Sequence, residues 1–257
     1  MRVWRVWLEG MRAAVYSLLS PMKKECLVCK QPSRIQVEKL GLCNSCYIRI
    51  PWIREALCRI CGRGEVCYDC QRRQYAYFSQ SRSAVRYDET MKGLLARYKY
   101  RGDERLKGII GGMLVHAYHL LQKEMEQQRC AESPSFQELI TFVPVSERRL
   151  LERGFNQAEQ MANELGRITG IPVVPLLNRS KHTDKQSFKR RSERLDDLTN
   201  VFEMDKMFQS QLTSYLAASY VIYIVDDVYT TGSTMNQCAK VLSECLPVKV
   251  FGITWAR

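Results

Sequence analysis

Apolar and polar positions fall along this chain in blocks that read alternately as strands and helices. The run 220–225 is apolar and rich in β-branched residues, the pattern of an interior strand in a parallel sheet covered on both faces. Residues 139–143 read as a second buried strand ending at Pro144, and 249–255 as a last one. Shorter strands are expected over 83–87 and 173–176. Helical patterns occupy 89–100, 105–128, 156–169 (stopped before Gly170) and about 233–245. The stretch 129–138 is polar, contains proline and reads as a loop. This alternation predicts an α/β domain with a mostly parallel sheet and crossover helices.

The N-terminal third has a different pattern. Eight of the eleven cysteines form four Cys-x-x-Cys pairs, Cys26/Cys29, Cys43/Cys46, Cys58/Cys61 and Cys67/Cys70. A two-residue gap turns both thiolates of a knuckle toward one ion, and two knuckles complete a tetrahedral site, so about two Zn²⁺ are expected. Sequential and interleaved pairing of the knuckles both satisfy the spacing. Disulfides are disfavoured because no secretory signal precedes the cysteines, and a redox motif lacks its βαβ setting. Cys130, Cys238 and Cys245 are scattered and read as ordinary thiols. The expected organisation is an extension over 1–25, a small Cys-rich zinc module over 26–74 and the α/β domain over 75–257.

Within the extension, Arg5, Glu9 and Arg12 interrupt the apolar residues. No uncharged span reaches the ~18–20 residues of a transmembrane helix. The segment reads as an extension or as a helix packed on its own domain, with an amphipathic segment on a membrane or partner as the second reading. At 257 residues and 46% hydrophobic content, the chain can bury one substantial core beside a small metal-held module. Its formal net charge is +12, and two tetrathiolate zinc centres lower this to about +8. The remaining positive charge favours an anionic partner: nucleic acid, a phosphate ester or an acidic membrane surface.

The densest chemistry follows the strand at 220–225. Asp226 and Asp227 stand at its C-terminal end, where open α/β sheets bind ligands. Thr230, Thr231, Ser233 and Thr234 then offer four hydroxyls, and Gly232 permits close backbone approach. The helix that follows presents free N–H groups and a positive dipole end to a phosphate. The acidic pair would face what that phosphate carries, either sugar hydroxyls or a hydrated divalent metal. Further basic turns could meet a second anion: Ser146, Arg148 and Arg149 after the Phe142-Val-Pro-Val strand, then Arg153 in Arg-Gly-Phe-Asn-Gln157. Lys99-Tyr-Arg-Gly-Asp103 places cations at a helix C-terminus, where the dipole alone accounts for them. Residues 179–194 hold seven Lys/Arg against two acids, a solvated surface or a loop that closes over a phosphorylated ligand or a nucleic-acid backbone.

Asp-Asp-x-x-Thr-Thr-Gly-x-Thr after an apolar strand resembles the phosphoribosyl pyrophosphate (PRPP) signature of type I phosphoribosyltransferases. The resemblance implies that Asp226 and Asp227 hold the ribose hydroxyls and orient the sugar in any transfer. It also implies that Thr230, Thr231, Gly232, Ser233 and Thr234 cradle the 5′-phosphate, with Mg²⁺ accompanying PRPP. The turn bearing Ser146, Arg148 and Arg153 resembles the pyrophosphate loop of these enzymes. Taken in order, the Cys-x-x-Cys knuckles, Lys-Tyr-Arg-Gly-Asp, Val-Pro-Val, Glu-Arg-Gly-Phe-Asn-Gln, His-Thr-x-x-Gln and the phosphate loop are similar to the ComF family over roughly 26–257. This implies a type I phosphoribosyltransferase-like fold behind a zinc module, in a factor for natural transformation. Such a factor would be cytoplasmic or peripheral at the cytoplasmic face of the inner membrane, working beside a DEAD-box-like DNA-translocating ATPase and weakly binding single-stranded DNA. A metabolic phosphoribosyltransferase joining ribose 5-phosphate to a nucleobase or another nucleophile is the alternative, although no segment reads as a base-selecting hood.

Overall fold

The computed structural model describes residues 24–33, 35–37, 40–73, 75–100, 102–103, 105–128, 136–179, 201–208 and 220–257. The chain divides into two units, residues 1–49 and 50–257. In the smaller, β1 (Lys24–Glu25) pairs antiparallel with β2 (Pro32–Ser33), and β3 (Ile35–Val37) pairs antiparallel with β4 (Leu42–Cys43). The short helix α1 (Asn44–Ile48) follows. Ladders this short are not stable alone, and four cysteine sulfurs gather between them within 4.8 Å of one another. The Cys43 N–H points at Cys26 Sγ at 3.4 Å, and the Lys30 N–H closes the first knuckle onto the Cys26 carbonyl at 2.8 Å.

The larger unit runs through α2 (Tyr68–Arg72), β5 (Gln80–Val85), α3 (Glu89–Tyr100), α4 (Leu106–Gln128), β6 (Gln137–Phe142), α5 (Glu147–Arg153) and α6 (Gln157–Thr169). It continues through β7 (Leu177–Arg179), β8 (Phe202–Met204), β9 (Tyr220–Val228), α7 (Ser233–Cys245) and β10 (Val248–Ala256). Its central sheet has the order β5-β10-β9-β6 with every pairing parallel. The expected mostly parallel α/β architecture is therefore present. Val221, Ile222, Tyr223, Ile224 and Val225 are all buried, as a strand covered on both faces requires. Helices α4 and α6 pack on each other, α4 against β5 and β10, α6 against β6 and β9, while α7 packs on β8, β9 and β10. Trp255, Phe251 and Tyr98 are among the largest side chains of this core.

Helices α3, α4, α6 and α7 lie within a residue of where periodicity put them. Asn156 caps α6 by accepting the Ala158 N–H, and Gly170 ends it in the left-handed conformation. The strand expected at 173–176 is reduced to one parallel bridge between Val173 and Ile140. Pro172 and Pro175 offer no N–H to a ladder, so regular pairing begins only at β7, antiparallel to β8. Gln137 and Glu138, read as loop, already belong to β6. The basic segment beyond Arg179, Cys130 and the extension up to residue 23 lie outside the described residues.

The described residues 50–73, which the sequence groups with the zinc module, are bonded to the sheet. Trp52 bridges to Val85, the Ile53 N–H bonds the Ala84 carbonyl, and the Ser81 N–H bonds the Ile60 carbonyl at 2.7 Å. This segment thus covers the β5 edge, which would otherwise stand open. No helix among the described residues is long and apolar enough to cross a membrane.

Candidate functional site

Strand β9 extends three residues past its expected end, so both carboxylates are held in the sheet, Asp226 opposite Thr254 of β10. Successive residues of a strand point to opposite faces, and the two acids acquire different surroundings. Asp227 is buried and pairs with Lys99 from the end of α3. Its Oδ2 also accepts from Gln157 Nε2 at 2.9 Å. Gln157 Oε1 accepts from Arg153 at 2.9 Å, and Arg153 donates on to the Tyr100 hydroxyl at 3.2 Å. Asp226 is half-buried, and its Oδ1 accepts the backbone N–H of Asp227 at 2.8 Å.

Burial and the neighbouring Asp227 carboxylate raise the Asp226 pKa to about 7. Burial works against ionisation of Asp227 too, but the Lys99 ammonium, the Gln157 amide and Arg153 outweigh it and hold that carboxyl below its usual range. One acid is a fixed anion, and the other takes up or gives up a proton near neutrality.

The loop after β9 turns through Gly232, whose φ of +77° caps α7. Thr231 and Ser233 are buried and share a hydroxyl hydrogen bond of 2.8 Å. Thr230 and Thr234 instead line a cavity of about 470 Å³ with Asp226, Asp227, Tyr87, Lys99, Tyr100, Arg149, Arg153, Gln157 and Arg179. The walls are therefore acidic at the strand end, hydroxylated at the loop and cationic opposite. Burial, with Arg149 close by, lowers the Arg179 pKa, so an anion between these guanidinium groups would be favoured. Ser146 Oγ and Arg153 Nε are buried without a hydrogen-bond partner, a deficit that a bound anion or water relieves. This donor set fits a phosphorylated sugar.

The structure gathers Asp226, Asp227, Thr230, Thr234 and Arg153 around one cavity, with Thr231, Gly232 and Ser233 shaping the loop behind them. Ser146 is buried at the start of α5. Arg148 does not line the cavity: it is exposed and donates to Glu152 at 3.0 Å. Arg149 lines it instead, because residues four apart share a helix face and Arg149 aligns with Arg153. Lys99 is the residue whose role the sequence understated. A helix dipole explained its charge, and nothing local indicated that α3 would end against Asp227. Tyr87 and Tyr100 carried no signal of their own.

The cysteines assemble sequentially. Cys26, Cys29, Cys43 and Cys46 form one group and Cys58, Cys61, Cys67 and Cys70 another, each with all four sulfurs within 4.8 Å of one another. Four thiolates ~2.3 Å from a tetrahedral zinc stand about 3.8 Å apart, so both groups fit Zn²⁺.

Several known proteins are similar to this chain. It is 30% identical over 212 residues to competence protein ComFC of Bacillus subtilis, covering 79% of this chain and 78% of that protein. The ComFC of Streptococcus pneumoniae is 28% identical over 245 residues, covering 89% and 99%. The DNA utilization protein YhgH of Escherichia coli is 24% identical over 223 residues, covering 84% and 89%. No protein-family model matches the chain.

Proposed function

The chain belongs to the ComF family, and from that premise we propose that it is a natural competence factor that handles incoming single-stranded DNA and carries a PRPP-binding, phosphoribosyltransferase-type site. The observation that carries the reading is the cavity at the end of β9, where paired acids, a hydroxyl-rich loop at a helix N-terminus and a cationic wall converge. Relatives named for competence and for DNA utilization support the cellular role.

In this reading Asp226 and Asp227 accept hydrogen bonds from the ribose 2′- and 3′-hydroxyls. Lys99 and Gln157 keep Asp227 ionised and fixed in orientation. The loop from Thr230 to Thr234 receives the 5′-phosphate, while Arg149, Arg153 and Arg179 face the pyrophosphate and stabilise charge that would develop on it. Mg²⁺, when bound with PRPP, supplies further neutralisation of the pyrophosphate. Single-stranded DNA, a DEAD-box-like ATPase and the cytoplasmic face of the membrane are the partners the family reading implies. The excess of basic residues suits the first.

Calorimetry with PRPP and Mg²⁺ tests the site. Wild-type protein should bind, and Asp226→Asn/Asp227→Asn should lose about a hundredfold in affinity, since both acceptors lose their charge and each gains an amide donor facing the ribose hydroxyls. Equal affinity in the double variant would place the ligand elsewhere. Transformation frequency measured on the same variant then tells whether the site serves DNA uptake.

A further inference from the structure

The second cysteine group lies directly behind the phosphate loop, and two arginines join them. Arg73, immediately after the Cys67/Cys70 knuckle and α2, donates to the carbonyls of both Thr231 and Gly232, the latter at 3.4 Å. From the other side, Arg257 donates to the Cys61 carbonyl at 3.3 Å and to Cys67 Sγ at 3.6 Å. Its guanidinium stacks 4.4 Å above the Tyr229 ring. Tyr229 in turn is packed under Gly232 so closely that a Cβ there would fall 2.0 Å from the phenol oxygen and 2.8 Å from Arg73 Nη2.

The consequence follows from peptide geometry. In a planar trans peptide the carbonyl and the next N–H point in opposite directions. Arg73 holds the Thr231 carbonyl on the metal side, so the Gly232 N–H is turned the other way, toward a phosphate seated at the start of α7. The Gly232 carbonyl is also held by the Asn236 N–H at 2.9 Å, and the Ser233 N–H leans on Thr231 Oγ1 at 3.4 Å. Left-handed Gly232 makes this turn, and without Arg73 the Thr231–Gly232 peptide could rotate.

We propose that the Cys58/Cys61/Cys67/Cys70 metal centre is the rear wall of the phosphate site, and that Arg73, seconded by Arg257, transmits its order to the loop as a positioning residue. Metal occupancy of this centre then regulates affinity for a 5′-phosphate. The inference rests on the sugar-phosphate reading above. Neither arginine touches the ligand; both act through the loop backbone.

The test is calorimetry of the full chain with ribose 5-phosphate as probe, with zinc content and melting temperature measured on every variant. Arg73→Ala should retain zinc yet bind about tenfold or more weakly, the effect of losing a charged donor that preorganises an anion site. Arg73→Lys, with one point donor in place of a fork, should fall between the two. Arg72→Ala, exposed at the adjacent end of α2, should bind like wild type. If wild type binds and the aspartate double variant does not, but Arg73→Ala binds normally, the coupling is wrong and the sugar-phosphate site stands. If wild type does not bind at all, both ideas fall. Weaker binding by Arg73→Ala that tracks zinc loss, with Arg73→Lys no better, would also overturn the positioning role.

Discussion

The two cysteine groups share the Cys-x-x-Cys spacing and differ in almost everything around it. Around Cys26, Cys29, Cys43 and Cys46 the described part of the small unit buries little besides Cys26, Leu42 and Cys43, and its strands are two or three residues long. Around Cys58, Cys61, Cys67 and Cys70 the backbone is bonded to β5, and Gly62 fits so tightly that a Cβ would meet the Ser81 carbonyl at 2.7 Å. The same ligand motif is thus asked to replace a core in one unit and to extend one in the other. A metal site makes the largest difference where apolar burial is least.

That contrast predicts its own largest test. Cys43→Ser should unfold the small unit outright, because structural zinc contributes about 10–16 kcal/mol of apparent binding free energy in comparable small modules. The sheet unit should keep its fold. Hydrogen exchange resolves the two: protection over 42–48 should vanish while protection over 220–228 persists. Simultaneous loss in both regions would show that the units fold as one.

A second test compares charges rather than metals. In the small unit Lys30 and Glu25 approach to 3.6 Å with both side chains substantially exposed, an arrangement worth about 0–1 kcal/mol. In the sheet unit Arg82 is 1% exposed and forms a two-pronged pair with Glu124, one prong at 2.7 Å, while its other donors take the Arg59 and Ser81 carbonyls. Truncating a partner of such a pair costs about 3–5 kcal/mol. Arg82→Ala should therefore lower the denaturant midpoint of the sheet unit sharply and loosen residues 58–63, whereas Lys30→Ala should leave both transitions in place. Equal, small effects would mean that the β5 edge and the second cysteine group are not coupled as the hydrogen bonds indicate.

What the sequence disclosed follows the same division between local and distant causes. Helix α6 was legible to its caps because Asn156 and Gly170 act on their own backbone. The acid pair and the Thr-Thr-Gly-Ser-Thr loop were legible because one contiguous segment carries strand, ligands and helix start. Cysteine spacing gave the metal sets but left their pairing open, since spacing is silent on which knuckles meet. Lys99, Arg149, Arg73 and Arg257 owe their roles to tertiary placement: Arg73 lies 158 residues from the carbonyl of Thr231. Spacing marks residues 58–70 as a metal module, and only the pairing with β5 shows which unit they complete.

The smallest effect separates the two units by pH. Asp226, in the sheet unit, has a folded-state pKa raised to about 7 by burial and by Asp227, against about 3.9 in an unfolded chain. Between these values the folded state binds more protons than the unfolded one, so this carboxyl's contribution is fully present below about pH 4 and is lost as pH rises through about 7. Asp227 has the opposite sign, but its lowered pKa places its window below the unfolded value, outside this range. Denaturant midpoints of the sheet unit measured at pH 5 and pH 8 should therefore differ, and Asp226→Asn should shrink the difference. Partial solvent access of the Asp226 side chain moderates the change. Lys99→Met should shift the balance further, since Asp227 loses the cation that keeps it ionised and the pair then competes for one proton. If Asp226→Asn leaves the pH 5 to pH 8 difference untouched, the proton resides on another group, and the two acids do not divide their roles as their neighbours imply.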